Sequence, residues 1–306
     1  MSFNMYIPTR TLFGAGQLNN LHRKKAMIVI SKGKSARANG YLARAEEHLK
    51  LAGIETIVFD KVEANPLKST VMAGGTFAKE NSCDFIVALG GGNCIDAAKA
   101  ISVMATNDGD YWDYVFGGTG KEKAMEHKPL PVFLTVIAIT TTAGTGSETD
   151  PWAVVTHEEN HEKIGLGNDD TFPVLAIIDP ELMISVPPKY TAYQGFDALF
   201  HSVEGYVSNG VNLMSDVYAI TAIENVGRNL VKAVKDGKNL DAREKVAFGS
   251  NPSGVVGSVG RCTSQHSLEH AMSAYHQELP HGAGLIMISK AHLHILLTSM
   301  YAMTGL

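Results

Sequence analysis

The sequence predicts a parallel α/β sheet domain over residues 1–188, followed by an all-α domain over residues 189–306. Three observations carry this. In the first half, short apolar runs alternate with helix-length segments, the pattern of a parallel sheet covered on both faces. Strand signals fade after Val186-Pro187-Pro188, which places the boundary there. Beyond it the periodicity is helical, and the pairs Asp197/His201 and His266/His270 are each spaced for one helix face. A chain of 306 residues also exceeds one comfortable hydrophobic core.

The elements follow in order. Lys25–Ser31 is a short, mostly apolar strand ending at Lys32-Gly33-Lys34-Ser35, ahead of a helix over 36–52. A second strand over 54–59 precedes a helix over 69–80. The third strand, 84–89, ends in Gly90-Gly91-Gly92 and leads into a helix over 93–104. Glycines there let the backbone approach a phosphate at a helix N-terminus. A buried strand over 132–139 ends in Thr140-Thr141-Thr142-Ala143-Gly144-Thr145-Gly146-Ser147-Glu148. Two such loops at strand carboxyl ends suggest one cleft of backbone N–H and hydroxyl donors, suited to a pyrophosphate and a ribose. No Gly-x-Gly-x-x-Gly follows the first strand, and Gly117-Gly118-Thr119-Gly120-Lys121 fails the P-loop spacing. Leu175–Ile178 closes the strand series.

His157-Glu158-Glu159-Asn160-His161 matches the His-Glu-x-x-His pattern of zinc peptidases. That chemistry needs a helix, and here strand-like residues flank a polar stretch. The motif reads as the exposed tip of a hairpin.

After Pro188, helical patterns cover 193–207, 216–226 with Ser215 as N-cap and Gly227 past its end, 241–248 and 264–275. Their inner faces offer one carboxylate and several imidazoles: Asp197, His201, His266, His270 and His281. Such a set suits a divalent metal, with either or both of His266 and His270 as ligands.

The composition excludes other classes. A net charge of -5 and a pI near 6.2 argue against nucleic acid held by bulk electrostatics. No basic run marks a membrane surface, and the longest apolar run is too short to span a bilayer. The N-terminus has no signal-peptide pattern. Cys83, Cys94 and Cys262 form no Cys-x-x-Cys pair and, being odd in number, no disulfide framework. The expectation is a cytoplasmic protein with reduced thiols.

Four motifs in order, over 90–99, 140–148, 195–206 and 266–282, resemble the iron-containing (group III) alcohol dehydrogenase family, with the likeness running from residue 8 to about residue 290. The resemblance implies a Rossmann-like dinucleotide-binding domain over 1–188 and an α-helical metal and substrate domain over 189–306, with the active site between them. It implies Fe²⁺ or Zn²⁺ on Asp197, His201, His266 and His281, and it moves His270 to a place beside the cofactor, where it would relay the hydroxyl proton. Cofactor contacts are implied at Asn65, Gly91, Gly92, Asn93, Asp96, Thr141, Thr142, Thr145 and Lys163; serine is commoner at the position of Asn93. The cofactor is NAD or NADP. Members choosing NAD often carry an aspartate where Gly33 stands, and the flanking Lys32 and Lys34 would welcome a 2′-phosphate. The implied activity is metal-dependent hydride transfer between NAD(P) and a small primary alcohol or diol, by a homodimer or higher homo-oligomer. Two alternatives stand beside it. One is a polyol (glycerol-type) dehydrogenase of the same superfamily. The other is a truncated, catalytically impaired fragment that retains nucleotide binding, because residues 292–306 do not read as the family's continuation and the helical domain is expected to be incomplete.

Overall fold

A computed structural model describes residues 5–14, 25–126 and 133–304, with side chains through residue 298. The first half holds β1 (Arg10–Phe13), β2 (Lys25–Ser31), α1 (Ser35–Ala38), α2 (Tyr41–Leu51), β3 (Glu55–Val62), α3 (Lys68–Glu80), β4 (Phe85–Gly90), α4 (Gly92–Met104), α5 (Lys121–Glu126), β5 (Thr135–Thr140), β6 (Ala153–His157), β7 (Glu162–Leu166) and β8 (Leu175–Ile178). Among the described residues six strands form one sheet in the order β1-β8-β5-β4-β2-β3, and every pair is parallel. The reason lies in the central strands. Alternate residues of β2 and β4 enter different cores: Met27, Val29, Ile86 and Ala88 on one face, Ala26, Ile28, Phe85 and Val87 on the other. A strand buried on both faces must be apolar throughout, which is why these runs do not alternate with polar residues. Helix α4 packs into the first core and α2 into the second.

Some expectations shift. The helix expected over 36–52 is two helices, broken where Gly40 adopts a φ of +73°, a left-handed conformation that glycine takes without strain. Strand β1 was not anticipated. Among the described residues it is an edge strand paired only with β8, and its Arg10 and Thr11 are exposed, so it has no apolar run to read. Residue 132 of the fourth expected strand lies outside the described residues, and β5 begins at Thr135.

The second half is helical: α6 (Pro188–Val207), α7 (Leu213–Lys235), α8 (Leu240–Val259), α9 (Ser264–Tyr275) and α10 (His281–Thr304). Pro188 stands in the first turn of α6, where its missing N–H costs nothing, so the proline pair starts a helix. The cap of α7 is Asn212, whose side chain accepts from Met214 and Ser215 N–H; Ser215 reciprocates from inside the helix, and Gly227 lies in its interior. α8 continues through Pro252. α10 is continuous across the segment expected to depart from the family, and His292 there is buried with Nδ1 3.2 Å from Ser264 Oγ.

Contact between the halves is close. Gly146, at φ +66°, sits so near α8 that a Cβ there would lie 2.4 Å from Gly254 N. The threonine-rich loop after β5 is thereby seated on the helical half. Among the described residues no helix is long and apolar enough to cross a membrane.

Candidate active site

The nucleotide side begins with two adjacent strands that end together. Gly90 of β4 pairs with Thr140 of β5, and Thr141 N–H donates to Gly90 O at 2.9 Å. This brings 91–93 beside 141–145. A Cβ on Gly92 would stand 2.5 Å from Thr145 Cγ2, and one on Gly91 3.0 Å from Thr142 Cγ2. Only glycines let the threonine loop close over the start of α4. That helix begins without a side-chain cap, the arrangement in which an N-terminus holds a phosphate. Asn93 is turned toward β3, its Nδ2 donating to Glu63 O at 2.7 Å.

Asp96 is engaged by protein groups. It accepts from Ser147 Oγ at 2.5 Å and from Val154 N–H at 3.2 Å. Burial pushes its pKa up to about 6, against the pull of Lys99. Lys99 is itself fully buried, and its Nζ donates to Ser147 Oγ (2.8 Å), Asp150 Oδ1 (2.9 Å) and Trp152 O (2.9 Å). Asp96, Ser147, Lys99 and Asp150 thus tie α4, the threonine loop and β6 into one braced unit.

The metal-type donors converge from α6, α9 and α10. Asp197 is buried, and its Oδ1 has three imidazole nitrogens around it: His201 Nδ1 at 3.1 Å, His266 Nε2 at 3.4 Å and His281 Nε2 at 3.5 Å. Burial alone would raise its pKa, but His201 and His281 hold the carboxyl well below its ordinary range. An ionised carboxylate ringed by imidazoles, away from water, is a place built for positive charge. The donor set therefore fits a divalent cation.

Two carboxylates hold these rings. His266 Nδ1 bonds Glu204, which also accepts from Thr263 N–H (2.7 Å) and Thr263 Oγ1 (2.8 Å). His281 Nδ1 bonds Glu269. Burial opposes the charge on Glu204, yet His266 and Thr263 hold its pKa at about 2, so it accepts and His266 Nδ1 carries the proton. That fixes the tautomer and frees Nε2 toward Asp197. Neither glutamate was anticipated. Glu204 was readable in part, because it shares the helix face of Asp197 and His201.

The donors fall into overlapping clusters rather than one. Asp197, His266 and His281 have ligand atoms within 4.8 Å of one another, and so do His201, Cys262 and His266, and Glu269, His270 and His281. His270 lies beside His281, ring centroids 5.5 Å apart. Burial first, then Lys163 and the neighbouring imidazoles, drives its pKa well below the ordinary value, so the ring is neutral.

Lys163 and Asn65 join the two sides. The Lys163 side chain is buried, with Nζ bonded to Ser273 Oγ (2.8 Å), Asn65 Oδ1 (3.1 Å) and Glu269 (3.4 Å), and Asn65 Nδ2 donates to Gln277 O at 2.7 Å. The His157–His161 motif forms the end of the β6–β7 hairpin, on no helix. One part of its reading needs correction. His157 is buried, not exposed, because Trp112 packs edge-on against it at 5.0 Å between centroids.

The sequence model described as iron-containing alcohol dehydrogenase matches residues 8–180, and the one described as the C-terminal part of the Fe-containing alcohol dehydrogenase family matches residues 191–299. The chain belongs to the iron-containing alcohol dehydrogenase family. The match extends to residue 299, beyond the expected limit near 290, and covers both halves. A 1,3-propanediol dehydrogenase of Citrobacter freundii is 35% identical over 292 residues, covering 92% of this chain and 73% of the relative. An NAD-dependent methanol dehydrogenase of Bacillus methanolicus is 35% identical over 286 residues, covering 91% and 72%. Among solved structures, an archaeal halo-thermophilic alcohol dehydrogenase from a Red Sea brine pool superposes with a TM-score of 0.89 at 35% identity, covering 94% of this chain and 73% of that one. As a member of this family the chain is an NAD(P)-dependent alcohol dehydrogenase with a two-part fold, a Rossmann-like sheet and a helical half.

Proposed function

We propose that the chain transfers hydride between NADP(H), or NAD(H), and a small primary alcohol or diol, with Fe²⁺ or Zn²⁺ held by Asp197, His201, His266 and His281. The observation that carries this reading is the ring of three imidazole nitrogens at 3.1–3.5 Å around buried Asp197 Oδ1. When bound, the cation supplies Lewis acidity to the substrate oxygen, and the nicotinamide takes or gives the hydride. The chain's own groups do the rest. Residues 1–188 place the cofactor: Gly91, Gly92 and Asn93 receive the diphosphate at the start of α4, and Thr141, Thr142 and Thr145 contact it from the facing loop. Asp96 braces that loop through Ser147. Asn65 and Lys163 reach the nicotinamide end, Lys163 bonded to Ser273 of α9 and Asn65 to Gln277 just beyond it. Neutral His270 takes the hydroxyl proton and passes it toward solvent. Residues 189–306 supply the metal and substrate side.

The preference for the 2′-phosphate rests on a hollow of about 530 Å³ at the end of β2, lined by Lys32, Gly33, Lys34, Arg37 and Asp60 among others. Arg37 is paired with Asp60 (2.9 Å) and Lys32 with Glu63 (3.6 Å), so the case for a phosphate rests on Lys34 and on the glycine at position 33. The substrate range is read from the relatives, whose names specify propanediol and methanol. The thiols, none in a disulfide, fit a reducing cytoplasm. Among the described residues the outer edge of β1 has no partner strand, and a second copy extending the sheet there is in keeping with a homo-oligomer.

The test is a panel of primary alcohols, propanediols and glycerol against NAD⁺ and NADP⁺, with added Fe²⁺ or Zn²⁺. Metal-dependent turnover of a primary alcohol or diol, faster with NADP⁺, is expected. Turnover of glycerol alone would move the chain to the polyol dehydrogenases. No turnover under any metal would sink the reading in favour of a nucleotide-binding fragment.

A further inference from the structure

We propose that Cys262 is a thiolate ligand of the same metal centre, a fifth protein donor beside Asp197, His201, His266 and His281. This rests on the metal reading above and departs from the four-donor set that the resemblance implies. The Cys262 sulfur and ligand nitrogens of His201 and His266 lie within 4.8 Å of one another, so the thiol stands beside two of the four donors, and Asp197 and His281 join through the shared His266.

Its position is fixed from both sides. Cys262 lies in the turn between α8 and α9. On its C-terminal side, Thr263 bonds Glu204 through N–H and hydroxyl, and Glu204 is the carboxylate that orients His266. On its N-terminal side, Gly260 O accepts from buried Ser208 Oγ, and Arg261 holds a left-handed φ of +64°. A non-glycine residue pays for that conformation, and such strain persists only where the surroundings impose it. The turn is thus built into the frame that aims His266.

The other two thiols have a different character. Cys94 is fully buried, with its pKa pushed up to about 12, and Cys83 is buried with its pKa raised by desolvation. Only Cys262 is partly open to solvent. On ligation the S–H bond breaks, a sulfur–metal bond forms, and the proton leaves to solvent; no oxidant or reductant is needed. One carboxylate with three neutral imidazoles leaves a divalent site at +1, and a thiolate brings it to zero. A soft sulfur donor also shifts the site's choice toward Zn²⁺ and Co²⁺.

The full chain is stripped of metal, loaded with Co²⁺ and scanned for a thiolate-to-cobalt charge-transfer band in the near ultraviolet. Wild type is expected to show it, and Cys262→Ser to lose it while keeping the visible cobalt bands. A second arm needs no variant. Iodoacetamide should alkylate Cys262 of the stripped chain, read by mass spectrometry, and Co²⁺ or Zn²⁺ should slow that reaction about tenfold or more. Co²⁺ uptake without the band overturns the proposal, whether or not alkylation slows, as does a band that survives in Cys262→Ser. No Co²⁺ uptake by wild type overturns the metal reading itself, and this proposal with it.

Discussion

Replacing Lys99 by Met should destabilise the sheet half in a way that depends on pH. The Lys99 side chain is wholly buried, and its Nζ makes three bonds of 2.8–2.9 Å to Ser147, Asp150 and Trp152. Methionine fills a similar volume but leaves Asp150 buried beside Asp96 with no cation between them. Removing one partner of a buried ion pair costs about 3–5 kcal/mol, most of it from the stranded charge. The sign follows from the carboxyls. Burial raises the pKa of Asp96 to about 6 and raises that of Asp150, in both cases despite Lys99. Without Lys99 both rise further. At high pH, where the carboxylates are ionised, the full loss applies; as pH falls through their raised pKa values they take up protons and the deficit shrinks. Urea unfolding at pH 8 and pH 5 reads this directly, because both tryptophans of the chain, Trp112 and Trp152, lie in the affected half. A loss of about 3–5 kcal/mol at pH 8, and less than half of it at pH 5, is expected. An equal loss at both values, or a loss below about 1 kcal/mol at pH 8, would refute the account of this network.

Other substitutions probe other links. Burial pushes the pKa of Glu148 up to about 7, so its stabilising contribution is present below the ordinary carboxyl range and is lost as pH rises through 7. Glu148→Gln keeps an acceptor for Asn251 and should raise stability at pH 8 by about 3 kcal/mol, with no gain at pH 4; thermal melts at the two pH values decide it. Glu204→Gln removes the charge that orients His266 and should weaken metal affinity about 10–100-fold in a chelator competition, with the fold intact by circular dichroism. Gly33→Asp adds a second carboxylate, beside Asp60, to the hollow lined by Lys32, Lys34 and Arg37, and should lower the NADP⁺ to NAD⁺ ratio of kcat/KM by about tenfold or more. An unchanged ratio would show that the 2′-phosphate binds elsewhere.

What could be read in advance, and what could not, has physical causes. β2, β4 and β5 were legible because a strand covered on both faces must be apolar along its whole length, and nothing else in a short run looks like that. β1 was not, because an edge strand keeps polar residues and takes its stability from a partner far along the chain. The start of α7 was misplaced by three residues, because Asn212 and Ser215 cap each other and either fits the pattern. Helical spacing brought Asp197 and His201 to notice, and the histidine-rich segment did the same for His266, His270 and His281. Glu269 and Cys262 gained their place only through folding, and Glu204, whose helix face was readable, gained its partner there: a glutamate of α6 meets a histidine of α9, and a thiol comes beside two imidazoles. His157 was assigned to solvent for the same reason, since the Trp112 ring that buries it belongs to a distant segment.

The central claim is that a cation on the Asp197 cluster makes this chain a dehydrogenase. It is tested by stripping the chain with a chelator, following NADPH oxidation with butyraldehyde, and titrating Zn²⁺ or Fe²⁺ back. The account predicts that the stripped chain is inert, that activity returns and saturates at about one ion per chain, and that Asp197→Ala neither binds the ion nor recovers. Undiminished turnover by the stripped chain, or recovery of Asp197→Ala alongside wild type, would contradict it.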